Sequence, residues 1–388
     1  MLPNNQKIKI LHIITNLPVG GAQDNTLITI ENLDKSKYDV TLMSASDGDW
    51  LERALNLKDV KLIFVNELVR KIHIVYDFIA LIKIFFYIKK GNYDIVHTHS
   101  SKPGFSGRIA AKLAGVPIII HTIHGFPFND FMNPFARKFF IYLERLLSKL
   151  SDALITVSNL NLQKAVDLKI APMDKFTNIY SGICFGKFDV NVDIAHKKDE
   201  LGFGKNDKIV GMVGRLSAQK SPKYFIKAIP DVLSVEPDTK FLLVGDGELR
   251  QELESIIKKL KITENVKILG YRDDVPELLS IIDVFVLTSS WEGLGRSLTE
   301  AMYLKRPVVA TAVEGVPELV IHKKTGLLVP PKNSESISDA ILYLLKHPEI
   351  CESIGEEAGK KVRDDFSAEK MISQIQQLYR KLIADRYA

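Results

Sequence analysis

Short apolar, β-branched runs alternate with longer amphipathic stretches along nearly the whole chain. Strand-like runs occupy residues 8–14, 38–43, 61–65, 94–97, 117–122 and 153–157, with helical stretches such as 106–114 and 134–150 between them. The pattern restarts at 208–213, 241–244, 266–269, 284–287, 308–310 and 326–329. This alternation is the signature of βα units and parallel sheets, so the expected fold is α/β, with two doubly wound, Rossmann-like sheets in series. A chain of 388 residues suits two domains better than one. The first is expected over residues 1–184 and the second over 208–365. Between them, residues 185–207 read as a linker, because Asp, Lys, Gly and Asn cluster there and apolar periodicity lapses. From Glu335 onward the pattern is helical only, and residues 366–388 read as a terminal helix that packs back on the first domain or bridges both.

Composition excludes several classes. At 46% hydrophobic and 26% charged residues the chain is an ordinary globular protein, which rules out disordered and fibrous types. Two cysteines, Cys184 and Cys351, lie far apart and form neither a disulfide framework nor a cysteine-rich zinc motif, which fits a reducing, cytoplasmic setting. No signal peptide is read at the start. The greasiest stretch, residues 72–88, is interrupted by Asp77 and Lys83 and reads as too broken to span a membrane. The net charge of +5 is uneven: residues 1–180 carry 22 basic and 16 acidic side chains, hence +6, which leaves −1 for the remainder. Anionic partners are therefore expected at the first half, with an anionic membrane surface preferred to nucleic acid, for which no binding motif is present.

In open α/β sheets ligands bind at the carboxyl ends of the strands, so the chemistry is sought there, and the cleft between two such domains is the default site. Gly20-Gly21-Ala22-Gln23 follows the first strand and precedes a helix. Such a pair admits close backbone approach to a phosphate or simply makes a tight turn; it is not the dinucleotide-binding glycine pattern, which argues against a dehydrogenase. Arg215 and Lys220 lie just after the first strand of the second half, as diphosphate-binding cations or as solvated loop residues. Ser290-Trp291-Glu292-Gly293-Leu294-Gly295-Arg296-Ser297-Leu298-Thr299-Glu300 places two carboxylates eight residues apart across a turn of bare amides, suited to sugar hydroxyls and phosphate oxygens. Ser297-x-x-Glu300 also matches a capping box, which would give Glu300 a purely structural task. Asp47-Gly48-Asp49 has the shape of a metal-binding DxD but reads as a loop ahead of a helix.

The Glu292-to-Glu300 stretch resembles the Glu-x7-Glu signature of the family-4 retaining glycosyltransferases of GT-B fold. Gly20–Gln23, His97-Thr98-His99-Ser100, His121-Thr122-Ile123-His124-Gly125-Phe126, Val244-Gly245-Asp246-Gly247, Gly270-Tyr271-Arg272-Asp273-Asp274-Val275 and Glu314-Gly315-Val316-Pro317-Glu318 are similar to further family segments in the same order. The resemblance implies two Rossmann-like domains facing across a cleft and a metal-independent hexosyltransferase that uses no cofactor. Arg215 and Lys220 would hold the donor diphosphate and Glu300 the ribose. Glu292 with the amides of Gly293, Leu294 and Gly295 would hold the transferred sugar. Arg272 would lie by the base, Gly20 and Gly21 by the phosphate, and His124 beside the sugar. His97, His99 and His121 read as packing or hydrogen-bonding groups. The family often has Asn-Gly-Val-Asp where this chain has Ser181-Gly182-Ile183-Cys184, which withdraws support for an acceptor or hinge role there.

The expected reaction is therefore transfer of a hexose or N-acetylhexosamine from a nucleotide-sugar, UDP preferred, to a saccharide or lipid-linked acceptor in polysaccharide or glycolipid assembly. The acceptor is expected on the basic first half, where residues 134–150 either lay an amphipathic face on anionic lipid at the inner face of the cell membrane or bury it in their own domain. A sugar-nucleotide epimerase of the same fold and a non-catalytic nucleotide-sugar binding module are the competing classes.

Overall fold

The computed structural model describes residues 7–69 and 73–387. The chain forms two compact units, Met1–Gly182 with Ala368–Ala388, and Ile183–Ser367. The first unit runs β1 (Ile8–Ile13), α1 (Gly21–Asn32), β2 (Tyr38–Ser44), α2 (Leu51–Leu55), β3 (Val60–Phe64), α3 (Ile74–Gly91), β4 (Ile95–His99), α4 (Ser101–Ala114), β5 (Ile118–Ile123), α5 (Pro134–Ser148), β6 (Ala153–Thr156), α6 (Asn159–Asp167) and β7 (Phe176–Asn178). Its seven strands are all parallel, in the order β3-β2-β1-β4-β5-β6-β7. The edge strand β7 escapes sequence reading because only Phe176 of its three residues is apolar.

The second unit runs α7 (Ile194–Glu200), β8 (Ile209–Val213), α8 (Pro222–Val235), β9 (Lys240–Val244), α9 (Arg250–Leu260), β10 (Val266–Ile268), α10 (Val275–Ser280), β11 (Val284–Leu287), α11 (Arg296–Tyr303), β12 (Val308–Thr311), α12 (Val316–Leu319), β13 (Leu327–Val329), α13 (Ser334–Lys346) and α14 (Pro348–Asp365). Its six-stranded parallel sheet has the order β10-β9-β8-β11-β12-β13. Residues 185–207 fold onto this unit: the Phe185 ring stacks on Tyr303 at 4.5 Å, and the Tyr303 hydroxyl donates to Asp189 at 2.7 Å. The last helix, α15 (Ala368–Tyr387), belongs to the first unit, where it packs against α1 and buries Tyr379 completely.

One device starts three strands. Asp94, Asp152 and Asp283 each precede a central strand, and each carboxylate accepts the first ladder N–H of the neighbouring strand, from Lys9 at 2.8 Å, Ile119 at 2.7 Å and Ile209 at 2.8 Å. The same aspartates donate their own N–H back to the carbonyls of Lys9, Ile119 and Ile209. A buried parallel ladder otherwise leaves such end groups unpaired, so this closure fixes register where both faces are covered.

Helix α4 begins five residues earlier than the periodicity suggested, at Ser101. Lys102-Pro103-Gly104 looks like a turn, yet proline is tolerated in a first turn, which lacks intrahelical N–H partners. Gly104 is needed because a Cβ there would lie 2.4 Å from His121 Cε1. Further along, Arg108 is fully buried, donates from Nη2 to Glu144 of α5 at 3.0 Å and from Nε to the Gly104 carbonyl at 2.6 Å, and so ties α5 to α4. Among the described residues no helix is long and apolar enough to cross a membrane.

Removing one partner of a buried ion pair strands the other charge. Glu144→Ala should therefore lower unfolding stability by about 3–5 kcal/mol, whereas a paired Arg108→Met/Glu144→Leu replacement should be nearly neutral. Urea unfolding of the two variants beside wild type checks this, and equal losses in both would refute it.

Candidate active site

In the second unit the strand order reverses between β8 and β11, the switch point where loops leave the carboxyl edge in opposite directions and open a crevice. The loop after β8 carries Arg215 and Lys220, and the loop after β11 carries Glu292. The two are stitched together: Ser290 N donates to the Gln219 carbonyl at 2.8 Å, the hydroxyls of Ser221 and Ser290 meet at 2.7 Å, and Gln219 Nε2 donates to the Trp291 carbonyl at 3.2 Å. Lys220 and Glu292 form an ion pair, and the buried Glu292 carboxylate also accepts from Ser289 Oγ at 2.8 Å. Glu292's own amide donates to the Glu314 carboxylate at 3.0 Å. Glu314 sits at φ 42, a left-handed conformation costly for a side-chain-bearing residue. Sequence reasoning gave Glu314 no role, because the contact spans 22 residues.

After Glu292 the backbone turns through Gly293, Leu294 and Gly295 into α11. Gly295 is the N-cap at φ 98, so the helix starts earlier than a capping box on Ser297 requires. That expectation is corrected: Ser297 lies inside the helix, and Glu300 pairs with Arg296 Nε at 3.1 Å. Glu300 is thus held one turn into the helix by an i,i+4 pair.

Glycines set how closely the loops approach. A Cβ on Gly245 would lie 2.2 Å from the Gly214 carbonyl oxygen, and one on Gly247 would lie 2.4 Å from that of Leu216. Gly245 N also donates to the Gly270 carbonyl at 2.8 Å, bringing the loops after β9 and β10 into one rim. On that rim Arg272 is gripped by Asp274, from Nε at 2.7 Å and Nη2 at 2.5 Å, and by Glu200 at 3.1 Å. These charge-assisted bonds raise its guanidinium pKa, with the Asp274 bond the leading cause.

In the first unit the equivalent switch point lies between β1 and β4. Gly20 is the extended N-cap of α1, with Gly21 as that helix's first residue. The loop before them is braced by Asp47-Gly48-Asp49: Asn16 donates to Asp47 at 3.1 Å and Val19 N donates to Asp49 at 3.2 Å. A Cβ on Gly48 would meet Leu17 backbone at 2.2 Å. The carboxylates are thus engaged in shaping the glycine loop.

Toward the carboxyl ends of β1, β4 and β5 lies a group of five histidines. His97, His99 and His121 are buried, as is His12 on β1, while His124 just past β5 is half-buried. His97 meets the Tyr379 hydroxyl at 2.6 Å and Thr122 at 2.7 Å, and His121 meets Thr98 at 2.9 Å. Burial pushes His12 down to about 3 and His124 to about 4, and holds the other three well below the ordinary histidine value. Sequence reasoning missed His12, since strand order alone brings β1 beside β4.

Two helices keep apolar faces exposed: the one on α5 decides against the buried alternative read for residues 134–150, and the one on α3 was missed. On α3, Ile74 is 85% exposed, and Val75, Phe78, Ile82 and Phe86 also face solvent. On α5, Phe135 is 82% exposed in a stripe with Phe139, Tyr142 and Leu146, flanked by exposed Lys138, Arg145 and Lys149. The α5 stripe falls at i, i+4, i+7 and i+11, one helical face left unburied.

A profile described as "Glycosyltransferase Family 4" matches residues 19–184, and one described as "Glycosyl transferases group 1" matches residues 193–361. An Escherichia coli protein named UDP-Gal:alpha-D-GlcNAc-diphosphoundecaprenol alpha-1,3-galactosyltransferase is 32% identical over 394 residues, covering 100% of both chains. Among solved structures, sucrose-phosphate synthase from Thermosynechococcus elongatus superposes with a TM-score of 0.85 at 23% identity, covering 98% of this chain and 100% of that one. Anabaena HepE in complex with UDP and glucose gives 0.83 at 22% identity over 96% and 99% of the two chains. These likenesses show the GT-B fold.

The histidine group makes stability depend on pH. Unfolded imidazoles take up protons near 6.5 while the folded ones stay neutral to far lower pH, so the unfolded state binds more protons as pH falls. Stability should therefore be complete above about pH 7 and drop below 6.5, by at most about 1.4 kcal/mol per pH unit for each such histidine. Thermal melts from pH 8 to 5 check this; a melting temperature that stays level or rises over that range would refute it.

Proposed function

The chain belongs to the family-4 glycosyltransferases, and from that premise we propose that it moves a hexose or N-acetylhexosamine from a UDP-sugar to a lipid-linked saccharide, with retention of anomeric configuration and without a metal ion. The observation that carries the reading is the Lys220–Glu292 pair at the switch point, beside the amide turn of Gly293, Leu294 and Gly295. On this reading Lys220 and Arg215 stabilise the negative charge that grows on the departing diphosphate. Glu292 and the turn amides hold hydroxyls of the sugar, Glu300 takes the ribose, and the rim that Arg272 braces receives the base. At the carboxyl end of the first unit's sheet, Gly20 and Gly21 serve phosphate and His124 serves the sugar.

The acceptor oxygen would bond to the anomeric carbon on the face that the diphosphate leaves, its proton passing to a phosphate oxygen. The protein's part is positioning and electrostatics. The preference for UDP and for a lipid-linked acceptor is supported by the name of the Escherichia coli relative and by the UDP bound to Anabaena HepE. Support for an acceptor embedded in a bilayer comes from the exposed face of α3 and α5. On α5 the aromatic and aliphatic side chains sit among Lys138, Arg145 and Lys149, which suits an anionic bilayer at the cytoplasmic side.

With EDTA present, UDP should raise the melting temperature of the wild-type protein more than GDP does, and Lys220→Met should abolish the shift. The same variant should lose about 10²–10³-fold in kcat/KM with the preferred UDP-sugar, the scale for removing one stabiliser of developing charge. The one-bond C1–H1 NMR coupling constant at the newly linked anomeric carbon reads the anomeric outcome. Absence of any shift with nucleoside diphosphates or nucleotide-sugars would defeat the donor assignment.

The protein should also sediment with anionic vesicles, less so in high salt. Phe135→Ser with Phe139→Ser, or Phe78→Ser with Phe86→Ser, should each cut binding at least about tenfold, given the apolar area removed. Unchanged sedimentation in both double variants would remove the membrane from the proposal.

A further inference from the structure

His12, His97 and His99 come together through strand order, with His12 opposite His97 in the β1–β4 register. Their ligand atoms lie within 4.8 Å of one another, close enough to suggest a metal site. The His97 ring, however, lies over that of His99, 4.3 Å away at 28°, whereas His12 and His99, 5.3 Å apart at 15°, meet edge to edge through their ring nitrogens. Ring lone pairs lie in the ring planes, so stacked imidazoles do not converge on one ion. Both nitrogens of His97 are also engaged, with Tyr379 and Thr122.

The other contacts form a chain. His12 Nδ1 lies 3.0 Å from His99 Nε2, and His99 Nδ1 lies 3.2 Å from His124 Nε2. A neutral imidazole has one N–H and one bare nitrogen, so fixing the proton on any ring fixes it on all three. The buried end of the chain decides the direction. His12 Nε2 is buried with no hydrogen-bond partner among the described residues. A buried orphan N–H is rarer than an orphan acceptor, which places the His12 proton on Nδ1. His12 then donates to His99 Nε2, so His99 carries its proton on Nδ1 and donates to His124 Nε2. The last proton is left on His124 Nδ1.

We propose that His12 and His99 are positioning residues, a buried tautomer relay that makes His124 a neutral Nδ1–H hydrogen-bond donor at the carboxyl end of β5. Burial keeps all three rings uncharged at neutral pH, which the relay requires. What His124 donates to rests on the function proposed above, where the acceptor is an oxygen of the transferred sugar. The relay itself does not rest on it.

Long-range proton–nitrogen NMR on the full-length, deuterated protein with nitrogen-15 histidine reads each ring's tautomer. Single-histidine variants assign the signals. The expected result is Nδ1–H at His12, His99 and His124, and Nε2–H at either of the last two in the wild type overturns the relay. His12→Leu removes the first donor, while the amide of His12→Asn can stand in for Nδ1–H. His12→Leu should give mixed tautomers at His99 and His124 and lower kcat/KM for the UDP-sugar about tenfold, roughly one hydrogen bond, with the UDP melting shift intact. His12→Asn should restore both. A His124 signal unmoved by His12→Leu overturns the relay, and so does stoichiometric zinc or copper in the purified protein with metal-shifted ring nitrogens. Tautomers that move while kcat/KM does not would uphold the relay and overturn the assignment of His124 to the sugar. Should His12→Leu not fold, the wild-type spectrum decides alone.

Discussion

A buried carboxylate needs a cation, and in the second unit that need organises the site. Glu292 lies in a loop almost closed to solvent, where an unpaired charge would cost several kcal/mol. Lys220 and Ser289 satisfy it, and both belong to loops leaving the strands at the switch point. The pair can form only if those loops come close. This is why Ser290 and Gln219 exchange contacts and why Gly245 and Gly247 are glycines where backbones nearly touch. The turn of bare amides leading into α11 follows from the same geometry, since Gly295 must take a positive φ to start the helix.

The first unit meets a similar difficulty differently. Its sheet carries polar side chains at the carboxyl ends of β1, β4 and β5, as buried as the Glu292 loop, yet nearly all of them are imidazoles and hydroxyls held neutral by burial. Neutral groups avoid the Born cost of buried ions but must find hydrogen-bond partners. They find them largely in one another and in Tyr379 from the terminal helix. Docking of α15 is thus part of satisfying the sheet, in addition to covering it.

Much of this was legible in the sequence. Central strands of a parallel sheet are covered on both faces, so they appear as apolar runs, and twelve of the thirteen strands among the described residues were placed to within two residues at both ends. The loop residues Lys220 and Glu292 were legible because they follow strands, where a doubly wound fold puts its ligands. The sequence could not reveal strand order, and with it went His12, whose partner lies 87 residues away. It also misled at Ser297, where a capping-box pattern was present but the glycine two residues earlier took the cap. The turn-like Lys102-Pro103-Gly104 hid the start of α4 for the same kind of reason: local chemistry permitted two structures and tertiary packing chose one.

The apolar stripe on α3 and α5 shows where local pattern runs out altogether. An amphipathic helix has the same periodicity whether its apolar side meets a core or a bilayer. What separates the two is whether another side of the helix already supplies the core contact. On α5 that contact comes from Ile141, Glu144, Leu147 and Ser148, with Glu144 joined to the buried Arg108 of α4. On α3 it comes from Ala80, Ile84 and Ile88. With those faces already occupied, Phe135, Phe139, Tyr142 and Leu146 have no use in the unit's own core. Four such side chains in one exposed row, between cations, make the kind of patch that marks an interaction surface.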